Sequence, residues 1–256
     1  VAKSQILANS SPGSGGEFAA PAGVSRTPIW QRYKTPSQWI VGLTLRAITD
    51  LIFRVDAAEL SKVPAHGPLI LITNHVHMPE IPTLFLRLVP RPVTGMLLAS
   101  RWDNALLSWM LDAFHIIPLR RGEADLAGLR HGLEMLQRGY IVIVDPEGTR
   151  SHDGRLQAGR AGAVLMALRS GAPLIPVVHY GSENYMQNLR RLRRTDFHFE
   201  VGKPFQIDPK TADSLHRLRQ PIIDEVMAQM AALLPPQYRG VYANVRPTRN
   251  FLIFDS

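Results

Sequence analysis

The sequence predicts an α/β fold: a single domain with a largely parallel central sheet flanked by helices, preceded by an N-terminal amphipathic helix. Three observations carry that prediction. Short apolar runs recur along the chain, among them Pro68-Leu69-Ile70-Leu71-Ile72 and Tyr140-Ile141-Val142-Ile143, and runs of this length without polar alternation fit strands buried on both faces. Between the runs lie longer segments whose apolar residues recur three and four apart, the spacing of one helix face. Glycines stand where such segments stop, at Gly139 and Gly171, as helix C-termini require.

Residues 1–30 lean on Ser, Gly, Ala and Pro, with Ser10-Ser11-Pro12-Gly13-Ser14-Gly15-Gly16 at the centre. They form a flexible leader or linker outside the fold. From Trp39 to Val55 apolar residues crowd together, and Ile40, Leu43, Ala47, Leu51 and Val55 fall near one face of a helix. Trp30, Arg32, Tyr33 and Lys34 precede it, a mixture suited to a membrane interface. A helix packed on its own core has the same pattern, so both readings stay open. Strands are expected at residues 68–72, 93–98, 115–119, 140–144, 174–178 and 197–201. Helices are expected near 80–88, 103–113, 123–138, 158–170 and 213–234. In the 123–138 segment Leu126, Leu129, Leu133 and Leu136 form one stripe. Alternation of this kind points to crossover units and a parallel sheet. The chain thus divides into a leader (1–30), a membrane-associating helical segment (31–60), the main domain (61–245) and a C-terminal tail (246–256).

At 256 residues the chain is long enough to bury a substantial core. Its formal charge of +8 and pI of about 10.2 favour anionic partners: nucleic acid, an acidic lipid surface or phosphorylated small molecules. With no cysteine, disulfides, thiolate metal sites and cysteine nucleophiles are excluded. No stretch approaches the roughly 18–20 apolar residues of a membrane-spanning helix, and the N-terminus lacks the long apolar core of a signal peptide.

The chemistry gathers at strand ends, where α/β folds place their sites. After the 68–72 run comes Asn74-His75-Val76-His77-Met78-Pro79-Glu80. A histidine followed by a carboxylate is the minimum equipment for general-base catalysis, because the carboxylate fixes the ring tautomer and stabilises the imidazolium. After the 140–144 run comes Asp145-Pro146-Glu147-Gly148-Thr149-Arg150-Ser151. Here Gly148 permits close approach of backbone to a ligand, and Arg150 offers the bidentate fork that suits a phosphate. Two further runs are less specific by themselves: Ile116-Ile117-Pro118-Leu119-Arg120-Arg121-Gly122, which ends in paired cations, and Pro173-Leu174-Ile175-Pro176-Val177-Val178.

Together these four stretches resemble the motifs of the PlsC-like glycerolipid acyltransferases, the lysophosphatidic acid acyltransferase family. Its first motif, Asn-His followed by four residues and an acidic one, is matched by Asn74, His75 and Glu80. Arg121 stands in the place of the second motif's arginine. Pro-Glu-Gly-Thr-Arg-Ser is present unaltered at Pro146 to Ser151, and the fourth motif resembles Pro173 to Val177. The order and separations agree, and the resemblance covers roughly residues 35 to 240. One departure matters: the family's first motif normally ends in Asp, and this chain has Glu80.

The resemblance implies transfer of a fatty acyl group from acyl-CoA or acyl carrier protein to the free hydroxyl of a lysophospholipid, foremost 1-acyl-glycerol-3-phosphate. It implies His75 and Glu80 as catalytic residues, with Asn74, Arg121, Glu147, Gly148, Thr149 and Arg150 binding substrate. No cofactor or metal is implied beyond the thioester co-substrate. Membrane contact follows from a bilayer substrate, on the cytoplasmic face and with an anionic surface as partner. The 39–55 segment, Trp102, Trp109, Phe114 and the basic run Arg190-Arg191-Leu192-Arg193-Arg194 are candidates for one docking face. No nucleic-acid-binding motif accompanies the charge, so nucleic acid is not an expected partner. Three rival readings remain: a metallohydrolase using His75, His77 and Glu80, a non-catalytic lipid-binding homologue, and an acyltransferase for another lysolipid such as lyso-ornithine lipid. The first is weakened because alternate strand residues face opposite ways and no further histidine cluster completes a ligand set.

Overall fold

A computed structural model describes residues 35–120 and 125–254, with backbone alone at 213–216. The helix α1 (Pro36–Ile52) runs directly into β1 (Phe53–Asp56). Next come β2 (Leu69–Ile72), α2 (Glu80–Leu88), β3 (Val93–Leu98), α3 (Ala105–Ala113), β4 (Ile117–Leu119), α4 (Leu126–Gln137) and β5 (Ile141–Val144). Then follow α5 (Gly162–Ser170), β6 (Leu174–Tyr180), α6 (Tyr185–Arg190), β7 (Thr195–Val201), β8 (Phe205–Ile207), α7 (Leu215–Leu233) and β9 (Leu252–Phe254).

The strands form one nine-stranded sheet in the order β1-β7-β6-β2-β5-β3-β4, with β8 pairing β6 and β9 pairing β8. From β6 to β4 every pairing on this path is parallel. The central strand β2 lies between β5 and β6, with Leu71 opposite Ile143 on one side and Ile175 on the other. Successive strand residues point to opposite faces, and here the two faces feed two separate cores. Ile70, Ile72, Val142 and Val144 pack with α5 and α7 on one side, while Leu69, Leu71, Ile141 and Ile143 pack with α2 and the phenylalanines of β7 on the other. All four residues of β2 and of β5 are buried, which is why both segments read as unbroken apolar runs.

Helix ends follow the local chemistry. Thr35 caps α1 by accepting from Gln38 N, Asp125 caps α4 by accepting from Gly128 N, and Gly139 and Gly171 follow their helices in the left-handed region at φ 80° and 66°. Leu136 of the 126–136 stripe is buried and Leu129 and Leu133 are partly so, whereas Leu126 stands exposed.

Three expectations are corrected. The amphipathic segment stops as a helix at Ile52, because Phe53 to Asp56 pair in parallel with Thr195 to His198. The main domain therefore begins at β1, inside the segment assigned to the membrane. The C-terminal stretch is no free tail either, since Leu252 to Phe254 pair with Ile207 to Phe205. Finally, α6 was not expected from periodicity; six residues are too few to show any. The long return from α7 to β9 also straps a loop below the site. Leu156 N donates to Tyr238 O, Val241 N donates to Leu156 O, and Gly159 N donates to the Tyr242 hydroxyl. Gly240 sits at φ 52°, where a Cβ would collide with the Leu156 carbonyl, so this turn needs glycine.

Candidate active site

Beyond Ile72 the ladder continues for one more step, with Thr73 N donating to Val144 O. Asn74 then binds across to the end of β6. Its side-chain amide donates to His179 O (2.9 Å) and accepts from His179 N (2.9 Å), imitating a strand's own pairing. The His179 ring returns the contact, with Nε2 2.7 Å from Asn74 O. On the other side Ser151 N donates to His75 O at 2.8 Å. His75 is thereby clamped between the β6 end and the 145–151 loop. Asn74, expected to bind substrate, is instead buried, with both polar atoms of its side chain engaged in this clasp.

Glu80 opens α2 with no solvent exposure at all. Its Oε2 accepts from Val76 N (2.8 Å) and His77 N (2.7 Å), and its Oε1 accepts from the Ser182 hydroxyl. The same Oε2 lies 3.7 Å from His75 Nδ1 and 3.7 Å from His179 Nε2. Burial alone would raise this carboxyl, but the charges of the neighbouring rings, the Ser182 hydroxyl and the backbone N–H groups outweigh it and hold it near 2. Glu80 is thus an anion at every physiological pH, and it contacts His75 at ion-pair rather than hydrogen-bond distance. Its field favours the imidazole tautomer with the proton on Nδ1. Nδ1 is buried without a hydrogen-bond partner, and the side chain is 18% exposed. The lone pair then resides on Nε2, the ring nitrogen left to act as base. His179 is fully buried against Phe197 and Phe199; burial lowers its pKa while the Glu80 charge opposes that shift, and its Nε2 is bound to Asn74 O.

The 145–151 loop divides by exposure. Gly148 (φ 69°), Thr149 and Arg150 stand in solvent beside the strand ends, available to a ligand. A Cβ at Gly148 would press on the Arg160 side chain, which explains glycine there twice over. Glu147 does not join them, contrary to the expectation that it binds substrate. It is 1% exposed, and its Oε2 accepts from Gln157 N at 2.9 Å. Burial first, and then the neighbouring Asp145 charge, push it up to about 8. Burial likewise pushes Asp145 up to about 6, although its Oδ1 accepts from Glu147 N. At neutral pH Glu147 is mostly an uncharged acid under the loop. Arg121 lies outside the described residues, while Arg120 beside it is exposed at the end of β4 and its backbone N–H donates to Asp125.

The structure therefore brings His75, Glu80, Gly148, Thr149 and Arg150 to one edge of the sheet. Sequence reasoning missed His179 and Ser182, which hold Glu80 from more than ninety-five residues away. The signal available for them was His179-Tyr180-Gly181-Ser182 at the end of an apolar strand, the same position that drew attention to His75.

The profile of the Acyltransferase family matches residues 54–180, which include His75, Glu80, Gly148, Thr149, Arg150 and His179 and stop short of Ser182. A chloroplastic 1-acyl-sn-glycerol-3-phosphate acyltransferase of Brassica napus is 26% identical over 167 residues, covering 62% of this chain and 46% of that protein. A 1-acyl-sn-glycerol-3-phosphate acyltransferase of Bacillus subtilis is 26% identical over 138 residues, covering 54% of this chain and 68% of that protein. The chain thus spans about half the length of the plant relative. In fold it is similar to the crystal structure of PlsC, the 1-acyl-sn-glycerophosphate acyltransferase of Thermotoga maritima, with a TM-score of 0.55 and 22% identity over 80% of this chain and 85% of that one.

The buried carboxyls predict opposing pH dependences of stability. Glu80, depressed to about 2, contributes stability that is present above its unfolded value of 4.5 and is lost as pH falls toward 2. Glu147, raised to about 8, holds its proton in the folded state, so stability falls as pH rises from 4.5 to about 8. Denaturant titrations should therefore find Glu147→Gln little changed at pH 4.5 and progressively more stable than the parent up to pH 8. A constant difference across that window would show that Glu147 is not buried as an acid.

Proposed function

The chain belongs to the PlsC-like acyltransferase family, and on that premise we propose that it transfers a fatty acyl group from a thioester to the free hydroxyl of 1-acyl-glycerol-3-phosphate. The observation that carries this is the His75–Glu80 pair: a partly exposed imidazole backed by a carboxylate that keeps its charge at neutral pH. His75 Nε2 takes the acceptor's hydroxyl proton as that oxygen attacks the thioester carbon. The tetrahedral intermediate collapses with cleavage of the C–S bond, and the imidazolium returns its proton to the departing thiolate. The products are an ester and a free thiol, with no acyl-enzyme.

Magnitudes are consistent with that division of labour. Unit charges about 4 Å apart attract by about 4 kcal/mol at an effective dielectric near 20. General-base action contributes about 10²–10⁴-fold, which is the same scale. The pair can supply the proton transfer and no more; positioning must come from the binding groups. Arg150 is the group we assign to the acceptor phosphate, with Thr149 and the Gly148 backbone beside it. The donor is acyl-CoA or acyl carrier protein.

A bilayer substrate calls for a surface to meet it, and α1 supports one. Its packed face is Val41, Gly42 and Thr49, while Trp39, Ile40, Ile48 and Leu51 are exposed, Leu51 at 71%. Much of the apolar face read from the sequence thus points outward. The neighbouring α3 has no buried residue and exposes Leu106 and Trp109, and Gln38 of α1 donates to Ala113 O at its end. Phe114 is not part of this face, since it packs edge-on against Phe85. α1 ends at the edge of the sheet that holds the site, because β1 and β7 both start there. Arg194 is spent on Phe53 O, leaving Arg190, Arg191 and Arg193 exposed around Leu192. No helix among the described residues is long and apolar enough to cross a membrane. We therefore take the docking to be peripheral, with apolar insertion by α1 and α3 and an arginine rim for anionic headgroups.

Two sets of measurements check these assignments. His75→Ala should lower acyl transfer by at least about 10²-fold with the unfolding transition retained, and Arg150→Ala should raise KM for the phosphorylated acceptor about tenfold with the thioester KM unchanged. Turnover that survives in His75→Ala, or an Arg150 defect confined to the thioester, would contradict the roles given. For docking, Ile48→Asp and Leu51→Asp should each weaken sedimentation with anionic vesicles about tenfold without loss of fold. Binding that vanishes in high salt yet ignores both substitutions would assign the contact to the arginines alone.

A further inference from the structure

We propose that Ser182 and His179, both contributed by the end of β6, are positioning residues that fit the longer carboxylate of Glu80 to His75. The proposal rests on reading His75 and Glu80 as the base pair of the reaction. Neither residue lies in the stretches that first marked the site.

The geometry is specific. Two backbone N–H groups, from Val76 and His77, fix Oε2 from the turn that carries His75 itself. They set where Oε2 lies but leave the carboxylate free to swing about its last bond. The Ser182 hydroxyl closes that freedom by binding Oε1 from the opposite side. Ser182 is 1% exposed and is presented by Gly181, whose φ of 95° and contact with Asp196 O admit no side chain. Tyr185 N then donates to Ser182 O, anchoring the serine at the start of α6. His179 adds the third constraint. With Nε2 bound to Asn74 O, its ring sets a polar edge 3.7 Å from Oε2. It also blocks the carboxylate from retreating into the β7 phenylalanines, against which its ring lies.

The side-chain length of Glu80 has a use in this arrangement. An aspartate at position 80 would fall short by about one bond length and could satisfy the turn N–H groups or reach toward Ser182, but not both. The β6 contacts therefore belong with glutamate. Without Ser182 the carboxylate has one fixed oxygen and one loose one, and the His75 tautomer that its field selects is less populated.

The test is a double-mutant cycle read in two ways. In the parent protein Ser182→Ala should lower kcat about tenfold, as expected for a lost hydrogen bond to a charged group, with KM for the lysolipid unchanged and a lower unfolding midpoint that still leaves the protein folded under assay conditions. In the Glu80→Asp background the same substitution should cost less than about twofold, because the bond it removes is already broken. Nitrogen-15 NMR of the His75 ring supplies the readout that does not depend on turnover. The parent should hold its proton on Nδ1, and Ser182→Ala should shift population toward Nε2–H. Additive losses in the cycle, a rise in KM alone, or an unaltered ring tautomer in Ser182→Ala would each overturn the proposal. If the parent transfers no acyl group but the tautomer shift is seen, the reading of the reaction fails while the positioning role stands.

Discussion

A carboxylate with no solvent exposure has to be held by donors, and much of the site's construction follows from holding Glu80. An isolated buried anion would take up a proton instead of remaining charged. Here two N–H groups come from the turn after β2, a hydroxyl from the turn after β6, and the positive edges of two imidazoles from either side. These donors converge only if β2 and β6 are in register, which the Asn74–His179 clasp enforces one step past the last ladder pair. The sheet is thus the device that keeps a negative charge behind His75. Misplacing either strand by one residue would turn the donors to the other face and leave the charge uncompensated.

The second strand end does the opposite with its acids. Below the exposed Gly148, Thr149 and Arg150, the buried Glu147 and the half-buried Asp145 are both raised, Glu147 to about 8 and Asp145 to about 6. At neutral pH Asp145 carries the charge and Glu147 holds its proton, so one buried proton spares the loop a second negative charge beneath the exposed Arg150. The strap from Tyr238 to Tyr242 fixes this loop from beneath through Leu156 and Gly159, and so ties the C-terminal part of the chain to the site. A carboxylate held charged behind His75 and an acid held protonated under the 145–151 loop give the two halves of the site different electrostatics from the same residue type.

Much of this was legible in the sequence where residues act locally. β2 and β5 were plain because strands buried on both faces are apolar throughout, and α4 and α5 because glycine follows each of them. β1 was not, since Phe53-Arg54-Val55-Asp56 continues the helical spacing of α1 and its pairing partner lies 142 residues away at Asp196. β8 and β9 were missed because three residues carry no periodicity. At the site, the His75–Glu80 pairing and the solvent-facing Gly148 to Arg150 were readable from types and spacing. The roles of Asn74 and Glu147 were not, because only tertiary structure reveals that both side chains are buried and already bonded. Ser182 was invisible for the same reason: a serine declares itself only when its partner is known.

In the proposed reaction His75, backed by Glu80, activates the acceptor hydroxyl directly, with no acyl group ever attached to the protein. Rapid-mixing measurement of thiol release tests this most directly. With thioester donor alone the protein should release no burst of thiol, and on adding lysophosphatidic acid it should release one thiol for each phosphatidic acid formed. A stoichiometric burst of thiol before the acceptor is present, or thiol release matched by free fatty acid instead of phosphatidic acid, would contradict it.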